Sequence, residues 1–317
     1  MKKILITGFT GFVSKYLLDH LTDLPGRFVI LGLSRSQSFD LFSIKNLEIS
    51  VKKIDLSNQE MLKDILESFR PDYIYHLASD SSVSYSWLKP IDSFRNNTNI
   101  FLNLVESIRV LNLNCKVLSV GSSEEYGIVD VSDLPLDEES YLNPVSPYAV
   151  ARVSQELLSK VYVKGYGLDI VMTRSFNHIG PTQKDSFVIS SFAKQIVLYK
   201  RGVIENIEVG NLDIIRDFLD VRDVVKAYTA LMDEGIKGEI YNICSSQGYS
   251  LREIVNKMMA IAGVEPNYVV NPKLVRPVDN PVIIGSNVKI RSHCGWQPLV
   301  SFENTLEDII DYWSVQL

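Results

Sequence analysis

Short apolar runs alternate with amphipathic stretches through the first 175 residues of the chain. The apolar runs predict strands over residues 4–7, 28–33, 47–54, 73–77, 116–120 and 169–173. Between them, apolar residues recur at three- and four-residue spacing, which predicts helices over residues 12–22, 59–69, 91–111 and 147–166. Such alternation is typical of a parallel sheet with helices on both faces, so the pattern predicts an α/β fold.

Beyond residue 177 the alternation loosens into segments punctuated by proline and glycine. Helices are predicted here over residues 188–200, 221–233, 251–262 and 302–313. We expect a sheet domain over residues 1–175, to which residues 214–244 return. A smaller C-terminal lobe, residues 176–213 and 245–317, would then cover the carboxyl edge of the sheet.

Composition and charge exclude several classes of protein. With 46% hydrophobic and 22% charged residues, the 317-residue chain is neither disordered nor fibrous. Its net charge of -6 predicts no nucleic-acid partner. No apolar run approaches the roughly 18 residues of a membrane span, so we expect a cytoplasmic protein with no membrane partner. The cysteines Cys115, Cys244 and Cys294 lack ligand spacing and predict reduced thiols and no metal site.

The first predicted strand runs into a glycine-rich turn that opens a helix. Glycines at such a turn let the backbone approach a pyrophosphate at the helix N-terminus. The context therefore predicts a dinucleotide-binding site, with cofactor contacts from Gly8, Thr10, Gly11, Phe12 and Val13. Ser14 departs from the pattern, because a third glycine usually stands there to allow close helix packing.

The end of the second predicted strand bears on which cofactor is bound. An acidic residue there would bind the ribose 2′-hydroxyl of NAD, whereas an arginine could hold the 2′-phosphate of NADP. Arg35 follows the strand and no acid is present, which favours NADP(H) and leaves NAD(H) open. Asp55 and Leu56 follow the third strand, and Asp55 is either an adenine contact or the cap of the next helix.

A serine, a tyrosine and an arginine form the candidate catalytic set. In the segment 146–152, Ser146 predicts an N-cap and Pro147 the first helical position, so Tyr148 and Arg152 lie one turn apart on one helix face. A cation there favours the phenolate that an acid/base tyrosine needs. Ser122 follows the strand 116–120 at the carboxyl edge, where ligands bind in such sheets.

Together these residues resemble the extended short-chain dehydrogenase/reductase family over nearly the whole chain. Further matches are His76-Leu77-Ala78, Asn97, the segments 121–127, 143–148 and 174–181, Arg216-Asp217-Phe218 and Arg276-Pro277. The resemblance implies a Rossmann-like doubly wound sheet and an NAD(H) or NADP(H) cofactor. The segments 122–127 and 176–181 most resemble the GDP-sugar branch, which contains GDP-4-keto-6-deoxy-D-mannose reductase and GDP-mannose 4,6-dehydratase.

The resemblance implies roles for individual residues. Tyr148 would exchange a proton with the sugar O4, Ser122 would hydrogen-bond that oxygen, and the nicotinamide would exchange hydride with C4. Leu77, Ala78 and Asn97 join the cofactor contacts, together with Tyr148 and Arg152. The implied substrate contacts are Ser82, Val83, Ser123, Glu124, Asn177, His178, Val188, Arg216 and Arg276, of which Asn177 and the two arginines would hold the diphosphate.

Two departures from the usual residues of the family, and one acidic residue, bear on the reaction. Arg152 replaces the usual lysine of the family and keeps its charge, and Ile100-Phe101 replaces a common Gly-Thr pair. Glu124 lies where dehydratases of this family hold the residue that removes the C5 proton, yet related reductases also have Ser-Ser-Glu. Glu124 is therefore either that base or a hydrogen-bonding partner of a sugar hydroxyl.

Other side chains have plainer interpretations. The acidic loop 130–139 is interpreted as a solvated segment on the substrate side. His178 is interpreted as a sugar or backbone contact rather than a second base. Tyr85 and Trp87 either line the sugar pocket or belong to the core.

We therefore expect an NAD(P)-dependent oxidoreductase acting at C4 of a GDP-linked manno-configured sugar. The substrate would be a 6-deoxyhexose or a heptose, and the reaction either 4-keto reduction or 4-hydroxyl oxidation. The alternatives are 4,6-dehydration through Glu124 and a non-catalytic cofactor-binding sensor. In this family the helices 91–111 and 147–166 pair in a four-helix bundle, so the resemblance also implies a homodimer.

Overall fold

The computed structural model describes residues 1–36, 39–275 and 280–317 of the chain, and for residues 39–43 it describes the backbone. Its larger sheet has eight strands in the order β11-β7-β6-β5-β1-β2-β4-β3. The strands are β1 (Lys2–Thr7), β2 (Phe28–Ser34), β3 (Phe39–Ile44), β4 (Leu47–Lys53), β5 (Tyr73–His76), β6 (Lys116–Ser122), β7 (Asp169–Ser175) and β11 (Ile240–Ile243). All pair in parallel except β3, which runs antiparallel to β4 at the edge.

Helices cover both faces of this sheet. They are α1 (Phe12–Asp23), α2 (Gln59–Phe69), α3 (Val83–Leu88), α4 (Pro90–Phe94), α5 (Ile100–Val110), α6 (Pro147–Tyr166) and α8 (Val221–Glu234), with the short α10 (Val288–Cys294) beside α8. One apolar core lies on the α1 and α8 side and a second on the α2 and α5 side. The fold is therefore the predicted α/β Rossmann-like arrangement, with the strand order reversing between β1 and β5.

A smaller layer is built from elements that follow β7 in the chain. It contains β8 (Asn177–Ile179), β10 (Ile215–Asp220), β12 (Gly248–Ser250) and β14 (Val282–Ile283) in one sheet, and β9 (Ile207–Val209) paired with β13 (Tyr268–Val270). The helices α7 (Val188–Lys200), α9 (Leu251–Ala262) and α11 (Phe302–Gln316) pack against it around a third core. No helix among the described residues is long and apolar enough to cross a membrane.

The topology also bears on the predicted division of the chain. Within 214–244, β11 pairs with β7 in the large sheet, whereas β10 pairs with β8, β12 and β14 in the small one. The segment is thus shared between the two sheets. We retain the division into a sheet domain and a smaller lobe as a proposal.

The helix predicted over residues 91–111 is not a regular α-helix. It comprises α4, a π-helical turn over Arg95–Asn99 and α5. Asn97 and Thr98 in this turn are buried, and the Thr98 hydroxyl donates to the Ala151 carbonyl of α6 at 3.3 Å. The widened turn therefore lets two consecutive buried side chains bond different elements, Thr98 to α6 and Asn97 to the segment after β5.

Candidate active site

At the glycine-rich turn after β1, the backbone of Gly8 lies very close to the backbone of the segment after β5. Gly8 adopts a φ of +69°, and a Cβ there would lie 2.8 Å from the Ala78 nitrogen. The Gly11 amide donates to the Gly8 carbonyl at 2.8 Å, which closes the turn. A side chain at Gly8 would thus both strain the backbone and collide with the segment after β5.

The N-terminus of α1 fits a dinucleotide pyrophosphate. Gly11 is its N-cap and contributes no side-chain cap, and the first turn contains no acidic residue. The amides of Phe12 and Val13 therefore lie at a helix end whose dipole favours an anion. Ser14 is buried in the place of the third glycine, so its small side chain still permits the helix to pack closely.

The turn is fastened to the end of β5 by Thr7. Its hydroxyl accepts the Ala78 amide at 3.1 Å and lies 3.0 Å from Nδ1 of His76. Burial, followed by the charge of Arg152, lowers the pKa of His76 to about 3, so this imidazole is neutral near pH 7. Leu77 and Ala78 are thereby held opposite the glycine turn, where a cofactor would pass.

The residues predicted to contact the adenosine half lie around the end of β4. Ser57 hydrogen bonds, and then the charges of Arg35 and Arg95, lower the pKa of Asp55, which is thus ionised near pH 7. The interpretation of Asp55 as the cap of α2 is wrong, because Asn58 caps that helix by accepting the Met61 amide at 3.1 Å. Leu56 is buried, Arg35 is exposed, and the Thr10 hydroxyl lies 3.2 Å from that of Ser34.

Tyr148 and Arg152 are brought together on the buried face of α6. Only 5% of Tyr148 and 4% of Arg152 are exposed. The Arg152 Nε–H donates to the Tyr148 hydroxyl at 3.1 Å, while Nη1 donates to the Val120 carbonyl at 3.0 Å and to Gln155 Oε1 at 2.7 Å. The guanidinium is thus fixed between α6 and the end of β6, with its charge beside the phenol.

A second set of contacts holds Arg152 from the segment after β5. Its Nη2 donates to the Ser79 hydroxyl, which in turn donates to Asn97 Oδ1 at 3.0 Å. Asn97 also accepts the Asp80 amide at 3.1 Å and donates to the Ser93 carbonyl at 2.8 Å. Asn97 therefore organises the segment after β5, and the chain of contacts extends through Ser79 and Arg152 to Tyr148.

Ser122 ends β6 at the same edge of the sheet. Its hydroxyl accepts the Glu124 amide at 3.3 Å, and its own amide donates to Glu125 Oε1 at 2.7 Å. These two bonds form a capping box that shapes the 3₁₀ turn Ser123–Tyr126. Ser123 is buried, whereas Glu124 is only partly buried, in the turn next to Ser122.

Sequence reasoning missed a buried charged network behind this turn. Arg174 on β7 makes a bidentate pair with Glu156 on α6, at 2.8 and 3.0 Å, and its Nη1 donates to the Tyr126 hydroxyl at 3.1 Å. Glu125 lies next to this pair and is fully buried. The capping-box spacing of Ser122 and Glu125 was the available signal for the position of that carboxyl group.

The predicted substrate contacts lie in the smaller layer and on α3. Asn177 begins β8, and its Nδ2 donates to the Asp217 carbonyl at 3.4 Å. Arg216 on the neighbouring β10 is buried, and its Nη1 donates to the Ile215 carbonyl at 2.9 Å. Ser82 caps α3, Val83 and Val188 begin α3 and α7, and Arg276 lies outside the described residues.

His178 links this side to the glycine turn. Its ring stacks on Phe12 at 6.3 Å between centroids, and its Nδ1–H donates to the Phe176 carbonyl at 3.2 Å. Burial lowers the pKa of His178, so the ring is neutral near pH 7. The imidazole therefore makes a backbone contact within the protein.

The structure corrects the sequence interpretations of the loop 130–139 and of Trp87. The loop 130–139 is not solvated throughout, because Glu138 is buried and accepts the Asn242 amide at 2.7 Å. Trp87 is 43% exposed and lines an apolar groove with Ile91 and Val150, so it does not belong to the core. Tyr85 is partly buried on the same short helix, α3.

Comparison with known proteins gives consistent similarities. The family model described as GDP-mannose 4,6 dehydratase matches residues 5–309. GDP-6-deoxy-D-mannose reductase of Pseudomonas aeruginosa is 32% identical, over 98% of this chain and 97% of the relative.

Solved structures are similar over the whole chain. The structure of RMD from Pseudomonas aeruginosa complexed with NADPH has a TM-score of 0.88 and 31% identity, with 100% of both chains covered. A Thermus thermophilus UDP-glucose 4-epimerase complex with NAD has a TM-score of 0.86 and 25% identity, covering 99% of this chain and 100% of the other.

Proposed function

The chain belongs to the GDP-mannose 4,6-dehydratase family, and from that membership we propose that it is an NAD(P)-dependent oxidoreductase acting at C4 of a GDP-linked manno-configured sugar. The reaction we propose is reduction of a 4-keto sugar. It is supported by the relative from Pseudomonas aeruginosa, whose name is that of a reductase. The observation on which the proposal depends most is the buried pair of Tyr148 and Arg152 at the carboxyl edge of the sheet.

The proposed cofactor site consists of the glycine turn and the segment opposite it. Gly8, Gly11 and the amides at the start of α1 would hold the pyrophosphate, and Leu77 and Ala78 would form the opposite wall. The reduced nicotinamide, when bound, supplies the hydride that adds to C4. Arg35 and the NADPH in the similar solved structure support NADP(H) as the preferred form.

Tyr148 supplies the proton in this proposal. Its hydroxyl oxygen accepts the Arg152 Nε–H, so its own proton is available for the O4 oxygen of the sugar. As hydride adds to C4, that proton passes to O4 and a hydroxyl group forms. The charge of Arg152 stabilises the phenolate left on Tyr148, and the Ser122 hydroxyl would hydrogen-bond the same sugar oxygen.

The GDP-linked substrate is assigned to the smaller layer. Asn177 and Arg216 lie on the paired strands β8 and β10, with Phe218 of β10 opposite Asn177. A guanidinium suits the oxygens of a diphosphate, which supports Arg216 as its partner. C4 chemistry is the same for a 6-deoxyhexose and a heptose, so both remain proposed substrates.

A cytoplasmic location is proposed with this activity. Cys115 and Cys244 are buried free thiols, and unpaired thiols persist in a reducing compartment.

The test supplies NADPH or NADH with GDP-4-keto-6-deoxymannose and follows the near-ultraviolet absorbance of the reduced nicotinamide. We expect the absorbance to fall and the product, by mass spectrometry, to gain two hydrogens. GDP-manno-heptose with the oxidised cofactor tests the reverse reaction on the longer sugar. Binding of the cofactor without turnover of any of these sugars would contradict the proposal and favour a non-catalytic sensor.

Dehydration is the second candidate, and the position of Glu124 favours it. Glu124 lies two positions after Ser122, and its amide donates to the Ser122 hydroxyl, the group proposed to contact O4. The matching family model is also that of a dehydratase. With GDP-mannose and oxidised cofactor, dehydration would give a product lacking one water and no net change in nicotinamide absorbance.

We also propose a homodimer formed through α4, α5 and α6. An apolar groove of about 680 Å³ lies between α3, α4 and the start of α6. The elements that line it carry exposed apolar residues, in the groove Trp87, Ile91, Phe94 and Val150, and elsewhere on α3 and α6 Leu88, Leu157 and Val161. Contiguous apolar surface of this kind is typical of an interface between subunits.

The variant pair Ile91→Glu with Leu157→Glu is expected to make the protein monomeric. Ile91 is 72% and Leu157 52% exposed, so the substitutions leave the core intact while placing charges in the proposed interface. Light scattering after size-exclusion chromatography measures the change, with Leu299→Glu, at an exposed position elsewhere, as the control. A wild-type monomer, or a double variant of unchanged mass, would contradict the homodimer.

A further inference from the structure

Glu125 lies directly behind Ser122 and is fully buried. Its Oε1 accepts the Ser122 amide at 2.7 Å, whereas Oε2 is buried with no hydrogen-bond partner among the described residues. Gly121 makes room for this carboxyl group, since a Cβ there would lie 2.5 Å from Oε1. The backbone therefore leaves room for the Glu125 carboxyl group, although no donor among the described residues reaches its Oε2.

The charged groups around Glu125 do not supply a counter-ion of its own. From α6 it faces Glu156 and Arg152, from β7 it faces Arg174, and Tyr126 follows it in the same turn. Arg174 is committed to Glu156 by two hydrogen bonds, and Lys160 donates to the same carboxylate at 2.8 Å. Arg174 and Lys160 are therefore already paired with Glu156, and Arg152 is hydrogen-bonded to neutral groups.

These surroundings favour opposite protonation states for the two acids. Burial, and next the charge of Glu156, raise the pKa of Glu125 to about 8. Burial would also raise the pKa of Glu156, but its bonds and charge interaction with Arg174 lower the pKa below the ordinary value. Glu125 is thus neutral near pH 7, and a neutral carboxyl with one unmatched oxygen costs less to bury than an unmatched charge.

The state of Glu125 affects the candidate proton donor through Arg152. The electrostatic interaction between Arg152 and Glu125 is favourable only when Glu125 is ionised. An ionised Glu125 would draw on the same positive charge that stabilises a Tyr148 phenolate. It would also add a negative charge behind the site, where the phenolate has to form.

We propose that Glu125 is a positioning residue that acts in its protonated form, holding the main chain of Ser122 and leaving the charge of Arg152 to Tyr148. The proposal rests on the proposed C4 reduction for its catalytic consequence. The protonation state of Glu125 can be measured without any turnover. Activity should therefore fall as rising pH ionises Glu125.

Infrared difference spectra of the purified protein test the protonation state directly. We expect the wild type at about pH 6 to show the carbonyl stretch of a buried carboxylic acid, which Glu125→Gln lacks and which disappears towards about pH 10. If Glu125→Gln kept every carboxylic acid band of the wild type, the proposal would be overturned. The result does not depend on the substrate, so it stands even if the proposed reduction fails.

The pH profile of kcat/KM tests the catalytic part. In Glu125→Gln, which mimics the neutral acid, we expect the alkaline fall to shift upwards by about one pH unit or more, with kcat at pH 6 lowered less than about tenfold. The control is Glu138→Gln, a buried glutamate that also accepts a backbone amide and should keep the wild-type profile. An unshifted profile, or a loss above about tenfold at pH 6, would overturn the proposal.

A second variant tests the direction in which Glu156 shifts the pKa of Glu125, and its result does not depend on whether Glu125→Gln folds. Glu156→Gln removes the negative charge that opposes ionisation of Glu125 and frees Arg174 to stabilise it. The carboxylic acid band and the alkaline fall in activity are both expected to move to lower pH. A shift to higher pH, or none, would overturn the proposal.

Discussion

Tyr148→Phe is expected to lower kcat for reduction of the 4-keto sugar by about 10²–10⁴-fold, the usual contribution of a general acid. The variant keeps the buried ring and removes only the hydroxyl that accepts the Arg152 Nε–H at 3.1 Å. Cofactor binding should persist, because the glycine turn and the N-terminus of α1 do not involve this ring. Steady-state kinetics measures the first effect, and titration of reduced-cofactor fluorescence the second.

Tyr141→Phe is the matched control for this experiment. Tyr141 is 84% exposed in the segment before α6, so loss of its hydroxyl should leave kcat within about twofold of the wild type. If Tyr148→Phe retained kcat within tenfold, Tyr148 would not be the proton donor. If it lost cofactor binding as well, the defect would lie in the site as a whole.

Arg152→Met is expected to have the second largest effect, a loss of about 10²–10³-fold in kcat. It removes the cation beside Tyr148 and leaves Gln155 Oε1 without the donor it has at 2.7 Å, while the Val120 carbonyl keeps its 3.1 Å bond from Gln155 Nε2. Since Gln155 is buried, we also expect the free energy of unfolding to fall by about 1–3 kcal/mol. Denaturant titration measures the stability and steady-state kinetics the rate.

Arg152→Lys separates the charge of the guanidinium from its geometry. A lysine keeps the cation, but its single nitrogen cannot reach Tyr148, Val120 and Ser79 as the arginine fork does. We expect kcat within about tenfold of the wild type and an intermediate stability. Equal losses in the Lys and Met variants would mean that the fork, rather than the charge, supports Tyr148.

The longer elements were predictable because local signals agreed with the tertiary structure. The bounds predicted for α6, residues 147–166, are those observed, since Ser146 caps its start and Gly167 ends it with a φ of 74°. α9 is matched in the same way by the capping box of Ser250 and by Gly263. The strands of the large sheet were predicted to within two residues, apart from β3 and β11.

The short strands and α3 were not predicted. The strands from β8 to β14 have two to six residues and pair with segments distant in sequence, so their apolar patterns are too short to distinguish. α3 has six residues, and α10 has seven. A π-helical turn likewise has no residue pattern that separates it from an α-helix.

The candidate site was predictable at the positions where a motif carries its own chemistry. Gly8, Tyr148 and Arg152 lie where the motifs predict, although their proposed roles still await experiment. What the sequence could not show is which buried groups face one another across elements. Glu125 and Glu156 are 31 residues apart and adjacent only because α6 packs on the turn after β6.

The π-helical turn over Arg95–Asn99 has an evolutionary meaning as well as a structural one. Such a turn holds one residue more than an α-helical turn, so it is the form that a single inserted codon takes when a helix survives the insertion. Deleting one residue there would rotate everything before it by about 100° and turn Ile91 away from the face proposed as the dimer interface. Relatives that align with a one-residue gap in this turn should therefore associate through a different face.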